Sequence, residues 1–160
     1  MTKKYDRSPL YSTAIVQIPL LVRDAGRVHK AKTPECVAEM FSEIKDYAVE
    51  VFCVAMLDAK NGLITKEMVT KGLVDASLVH PREIFRAAIQ RNASALILVH
   101  NHPSGDPTPS AEDLRITKQL VIAGKIIDIN VLDHVIIGRD LESNKTRHQS
   151  LRESGLISFS

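Results

Sequence analysis

The feature that most constrains this chain is the run from Ala95 to Asp113, ALILVHNHPSGDPTPSAED, in which five aliphatic residues lead straight into two histidines and a proline-rich loop. Ala95 to Val99 reads as a strand buried on both faces, since no polar residue alternates with its apolar ones. Pro103, Gly105, Pro107 and Pro109 then enforce an irregular loop. A helix is expected from Ala111 to about Ala123, with Leu114, Leu120 and Val121 among its apolar positions and Gly124 as its stop. The order is strand, loop, helix, and every residue of chemical interest sits in the joint.

His100 and His102 are two residues apart at the strand's end, and alternate side chains of a strand point to one face, so both imidazoles can reach a single ion. Asp113 falls in the first turn of the following helix, where the loop can fold its carboxylate back towards the strand. Two histidines and a carboxylate make three ligands for zinc and leave a fourth position for water, the arrangement of a catalytic rather than a structural site. Such an ion lowers the pKa of water from ~15.7 towards ~7 and polarises carbonyl groups, so hydrolysis of an amide is its natural use. That reaction also needs a base and an oxyanion donor. Ser110 is the candidate donor, although Ser110 with Asp113 three residues later is equally a helix-capping pattern, and Asn101 and Asp106 read as turn residues.

The rest of the chain supplies the frame. Ser12 to Val22 is expected as a strand kept to an edge or bulge by Pro19. Thr33-Pro34 caps a helix to Tyr47 carrying Val37, Met40, Phe41 and Ile44 on one side. Glu50 to Leu57 and Leu63 to Val69 form a hairpin about Asn61-Gly62. His80-Pro81 opens a helix with Ile84, Phe85, Ala88 and Ile89 as its buried stripe, ended at Asn92. Two short strands are expected at Ile126 to Leu132 and His134 to Ile137, followed by a polar stretch from Arg139 to Gln149 and a short helix from Leu151 to Ser154.

A chain of 160 residues suits one domain, expected over residues 1–160 with its core at about 12–157. Net charge is +2, too small to imply nucleic-acid binding, and the basic cluster Arg23 to Lys32 reads as a solvated loop. Cys36 and Cys53 lack metal-ligand spacing and are expected as reduced, buried thiols. Gln17 and Pro19 interrupt the only apolar stretch near the start, so neither a signal segment nor a membrane span fits, and a cytoplasmic location is the expectation.

At this point the sequence resembles the JAMM (MPN-plus) metalloprotease superfamily, whose signature is His-x-His, seven residues, Ser, two residues, Asp, with a glutamate far upstream. His100, His102, Ser110 and Asp113 match it at every offset. Within that superfamily the chain is similar to the RadC family, through HPREIF at 80–85, SALILVHNHPSG at 94–105, PS at 109–110 and LDHVIIG at 132–138. The resemblance spans about Ser12 to Ile157. It implies an α/β (α+β) fold with a mixed, curved β-sheet flanked by helices, related in layout to zinc cytidine deaminases. It also implies that Glu50, which leads the strand ending in Leu57-Asp58, is the general base; from the residues alone a strand-leading glutamate is solvent-facing, and Glu43 and Glu83 compete with it.

The function so implied is a zinc-dependent hydrolase of peptide or isopeptide bonds, with His100, His102 and Asp113 on the metal, and Glu50 and Ser110 catalytic. The alternative is a DNA-associated accessory protein of the same family. Longer relatives carry an N-terminal helix-hairpin-helix region for which this chain is expected to have no room, which weakens any direct DNA role. Deamination is disfavoured because the H-x-E and P-C-x-x-C signature is missing. Leu73 stands where the family often has threonine. His80 is expected to precede or cap its helix, His134 to be packed or hydrogen-bonded on a strand, and His29 and His148 to lie at the surface.

Overall fold

A computed structural model describes residues 31–72 and 79–159; the expected strand Ser12 to Val22, His29 and Leu73 lie outside them. Five strands form one sheet: β1 (Val51–Leu57), β2 (Leu63–Lys71), β3 (Ala95–Asn101), β4 (Asn130–Arg139) and β5 (Thr146–Ser150). Their order is β2-β1-β3-β4-β5, with β3 and β4 parallel and every other pair antiparallel. The sheet is therefore mixed and is flanked by α1 (Pro34–Met40), α2 (Pro81–Gln90) and α3 (Ala111–Ile126), as the sequence implies.

The apolar runs in β1 and β3 follow from their central positions, since each is buried along its whole length. One set of alternating residues, Phe52, Val54, Met56, Leu96 and Leu98, packs under Ile84, Phe85 and Ala88 of α2 and Ile116, Leu120 and Val121 of α3. The opposite set, Val51, Cys53, Ala55, Leu57, Ile97 and Val99, packs under Val37, Ala38, Phe41 and Ile44. Period-two alternation in the strands thus sorts two aliphatic cores between three layers. The hairpin forms, but its turn is not the expected Asn61-Gly62 pair: Asn61 N donates to Asp58 O across Ala59-Lys60, and Asn61 alone takes a left-handed φ, 58°, before Gly62 leads into the return strand.

Several expectations are corrected. The helix expected to reach Tyr47 ends at Met40 and continues as a 3-10 helix, Ser42–Asp46, after Phe41. Helix α3 runs through Gly124 instead of stopping there, because this glycine is needed for close packing: a Cβ would lie 2.5 Å from the Ile129 carbonyl oxygen. The two strands expected from Ile126 to Ile137 are one, β4, which tolerates Asp133 because Ser150 Oγ, His134 N and Arg152 N all donate to that carboxylate. The polar stretch after Arg139 contains β5, an edge strand whose side chains are partly or fully exposed except for buried Ser150, and Leu151 to Ser154 is a turn. Cys36 is only half-buried, whereas Cys53 is buried and its thiol is pushed up to about 11, chiefly by burial. No helix among the described residues is long and apolar enough to cross a membrane.

The loop after β3 is stitched to the end of β4. His102 N donates to Ile137 O at 2.8 Å, and Arg139 N donates to Gly105 O at 3.0 Å. Gly105 has φ of 88°, and Gly138 faces it so closely that an added methyl would overlap the Gly105 carbonyl. Gly138→Ala should therefore displace this loop and lower stability by roughly 1–3 kcal/mol, as overpacked sites do, read by urea denaturation. An unchanged midpoint would show that the two backbones separate freely.

Candidate metal centre

Three elements converge where β3 ends. His100 is the penultimate residue of β3, His102 follows it into the loop, and Asp113 lies in the first turn of α3. Their Nε2 atoms stand 2.9 Å apart, His100 Nε2 lies 3.2 Å from Asp113 Oδ1, and His102 Nε2 lies 3.4 Å from Oδ2. Taking one ligand atom from each residue, all three lie within 4.8 Å of one another. Among the described residues this is the group of acidic, histidine and cysteine side chains able to hold a metal ion.

The donor set fits such an ion. His102 Nδ1 lies 2.8 Å from the Asp106 carbonyl oxygen, which can only accept, so Nδ1 carries a proton and Nε2 of the neutral ring presents a lone pair. That lone pair faces His100 Nε2 and a carboxylate. A tetrahedral ion with bonds of ~2.0–2.1 Å would set its donors about 3.3 Å apart, close to the separations seen. His100 is 1% exposed and Asp113 8%, so the ligands are sheltered while half-buried His102 faces outward.

Charge is arranged to match. Burial pushes the Asp113 carboxyl up, but the hydrogen bonds that protonated His100 and His102 rings can donate to it, the positive charge such a His100 ring carries and a hydrogen bond from Ser110 together hold it well below the usual carboxylate range. His102 is raised above the ordinary imidazole value, first by its hydrogen bond to Asp113, then by the Asp106 carbonyl and the charges of Asp113 and Glu50, against the opposing effect of burial.

The other expected residues fall as follows. Ser110 is the N-cap of α3, accepting from Asp113 N at 3.1 Å, while its own N–H and hydroxyl donate to Asp113 Oδ2 at 2.7 and 2.6 Å. Capping and convergence on the site therefore coexist. Glu50 immediately precedes β1 and is half-buried, and its charge makes the smallest of the contributions that raise His102. Its competitors are engaged elsewhere, Glu43 with Lys66 and Glu83 with Arg82 and Arg86. His80 is the N-cap residue of α2 without a side-chain cap bond, and half-buried His148 faces Glu35 at 3.7 Å.

Sequence reasoning missed two neighbours. His134 is hydrogen-bonded on its strand as expected, but its partner is His100, Nε2 to Nδ1 at 2.7 Å. Asn101, read as a turn residue, is fully buried: its Oδ1 accepts from Val51 N at 2.8 Å and its Nδ2 donates to Val49 O at 3.2 Å, clasping the backbone on either side of Glu50. The asparagine between the two histidines was the available signal, since a polar residue at that point of a doubly buried strand must find partners within the protein.

A family profile described as RadC-like JAB domain matches residues 31–156. The chain is 48% identical over 141 residues to UPF0758 protein TTE0897 of Caldanaerobacter subterraneus subsp. tengcongensis, covering 88% of this chain and 58% of that one. It is 49% identical over 125 residues to UPF0758 protein STH371 of Symbiobacterium thermophilum, covering 78% and 51%. It is also 41% identical over 118 residues to UPF0758 protein Mbar_A2303 of Methanosarcina barkeri, covering 74% and 49%. The chain thus spans about half the length of these curated relatives.

Because His102 holds its proton to higher pH than an ordinary imidazole, a metal ion must displace that proton to bind. Affinity should climb as pH rises through neutrality, with about one proton released per ion at pH 6 and progressively less towards pH 9. Calorimetry in two buffers of different ionisation enthalpy reads this directly, and uptake without proton release at pH 6 would contradict it.

Proposed function

Since the chain belongs to the RadC-like JAB domain family, we propose that it is a zinc-dependent hydrolase that cleaves peptide or isopeptide bonds, with His100, His102 and Asp113 holding the ion. The observation that carries this reading is the convergence of two imidazole nitrogens and a carboxylate at 2.9–3.4 Å. Nitrogen and carboxylate donors in that number suit zinc and leave a coordination position open. When bound, zinc supplies the Lewis acidity that makes water nucleophilic at neutral pH.

The protein's own groups would do the remaining work. Glu50, half-buried and with its charge felt at His102, would accept the proton of the attacking water and return it to the leaving amine. Its backbone is fixed on both sides: Gly72 N donates to Glu50 O at 2.9 Å, and Asn101 binds Val49 and Val51. That fixation matters because a general base acts only within hydrogen-bond reach of its proton. Ser110 would direct its hydroxyl at the oxyanion by turning its proton away from Asp113 Oδ2, while its backbone N–H keeps the cap. The substrate would be a peptide or protein, and residues 1–160 would act as one catalytic unit.

Glu50→Gln should bind zinc as the parent does and lose turnover by about 10²–10⁴-fold, the usual contribution of a positioned base. A peptide and isopeptide library incubated with zinc-loaded protein supplies the assay. Parent-level cleavage by Glu50→Gln or by His102→Ala, or parent protein purified to homogeneity that takes up no zinc, would sink the reading.

A further inference from the structure

His134 is a fully buried polar group to which the proposed reaction gives no role. Each of its ring nitrogens has one partner: Nε2 lies 2.7 Å from His100 Nδ1, and Nδ1 lies 2.6 Å from Thr117 Oγ1. Thr117 is also fully buried and stands one helical turn beyond Asp113, to whose backbone carbonyl its hydroxyl donates.

The direction of every bond in this chain follows from the one group that has no choice. A carbonyl oxygen only accepts, so the Thr117 proton goes to Asp113 O, and Thr117 Oγ1 can then only accept from His134. His134 Nδ1 therefore carries hydrogen, and in the neutral ring Nε2 offers a lone pair. Opposite that lone pair, His100 Nδ1 must be the donor. His100 is left with a bare Nε2 aimed at His102 and Asp113. The opposite order needs the Thr117 hydroxyl to turn from Asp113 O to His134 Nδ1, which would leave two oxygens at hydrogen-bond distance with no proton between them.

Packing holds the chain in place. Phe52 lies parallel to the His100 ring, 12° off with centroids 6.1 Å apart, and meets His134 edge-on at 5.5 Å. The parallel pairing of β3 and β4 slips by one residue, so that Leu96 faces Val131 while Ile97 faces Asp133 and Leu132 is passed over. That slip turns His134 to the same side as Val131, towards α3, where strict alternation would have turned it away.

We propose that His134 and Thr117 form a positioning relay that selects the metal-ligating tautomer of His100 and ties this ligand on β3 to the turn of α3 that carries Asp113. The inference rests on the reading of His100, His102 and Asp113 as a metal site. The relay closes a ring, because the same helical turn supplies the Asp113 carboxylate on one side and the Asp113 carbonyl anchor on the other. A shift of α3 against β4 would thus disturb one ligand directly and another through its hydrogen bond.

Two measurements test it. In the metal-free 160-residue chain labelled with 15N-histidine, long-range proton–nitrogen couplings at pH 9 should show His100 and His134 both protonated on Nδ1. Hydrogen on His100 Nε2 and none on Nδ1 would overturn the relay, and this readout needs neither zinc nor a variant. In chelator competition, Thr117→Val should weaken zinc binding about 10–100-fold, the range typical of partners behind a ligand, and Thr117→Ser should return it to within about twofold of the parent. Parent-level affinity in a folded Thr117→Val would overturn the proposal. Failure of the parent chain to take up zinc would overturn the metal reading on which it rests, whereas the tautomer result alone would overturn the relay, so the two failures are distinguishable.

Discussion

The parallel pairing of β3 with β4 is the constraint on which the rest of the site depends. Two parallel neighbours cannot be joined by a tight turn, so the chain must leave the end of β3, cross over a face of the sheet and re-enter at the start of β4. The crossover element is α3, and its N-terminus necessarily lies near the end of β3. His100 and His102 are at that strand end and Asp113 is in the first turn of that helix, so residues thirteen apart in sequence meet by topology. Sites outside the carboxyl ends of parallel strands arise in this way in many open α/β sheets.

The pairing also decides how rigid the meeting place is. The loop between β3 and α3 holds three prolines, which restrict its backbone, and it is bonded to β4 through His102 N and Gly105 O. Gly105 and Gly138 allow the two backbones to approach to a distance that no side chain would permit. Behind the histidines stand Phe52 and the core under α2 and α3. One ligand is thus set by a strand, one by a clamped loop and one by a capped helix, so little conformational freedom is left to lose when an ion arrives.

Much of this was legible in the sequence where information is local. The His-x-His spacing, the Pro- and Gly-rich loop and the Ser110–Asp113 cap lie within fourteen residues, and each has a short-range physical meaning. The doubly buried strands and the β1–β2 hairpin were readable for the same reason. What was not legible depends on pairing across the fold. His134 comes beside His100 only through the register of β3 with β4 and the slip at Leu132, neither of which leaves a mark in the local pattern. Asp133 made one strand look like two, since its partners Ser150, at the end of the neighbouring strand β5, and Arg152, just beyond it, are 17 and 19 residues further along the chain. β5 carries no apolar alternation because it is an edge, and Gly124 looked like a helix stop because its actual constraint is the Ile129 carbonyl against it.

Asp113 shows why capping and metal ligation need not be rival explanations of one motif. Its Oδ2 accepts from Ser110 N, as a capping box requires, and from Ser110 Oγ in addition, while Oδ1 faces His100. The cap fixes the carboxylate's rotamer, and together with the positive end of the helix it keeps the group ionised. An ionised, immobile carboxylate is ready to bind a cation without first losing a proton. The same hydrogen bonds lower its basicity, and the carboxylate alone would then be a modest ligand. Two imidazole lone pairs held 2.9 Å apart compensate, because in that position they repel unless a positive charge lies between or beside them. In the metal-free protein the raised affinity of His102 for a proton answers that demand. Such a group is able to exchange a proton for a metal ion, with the capped carboxylate as the fixed negative charge beside it.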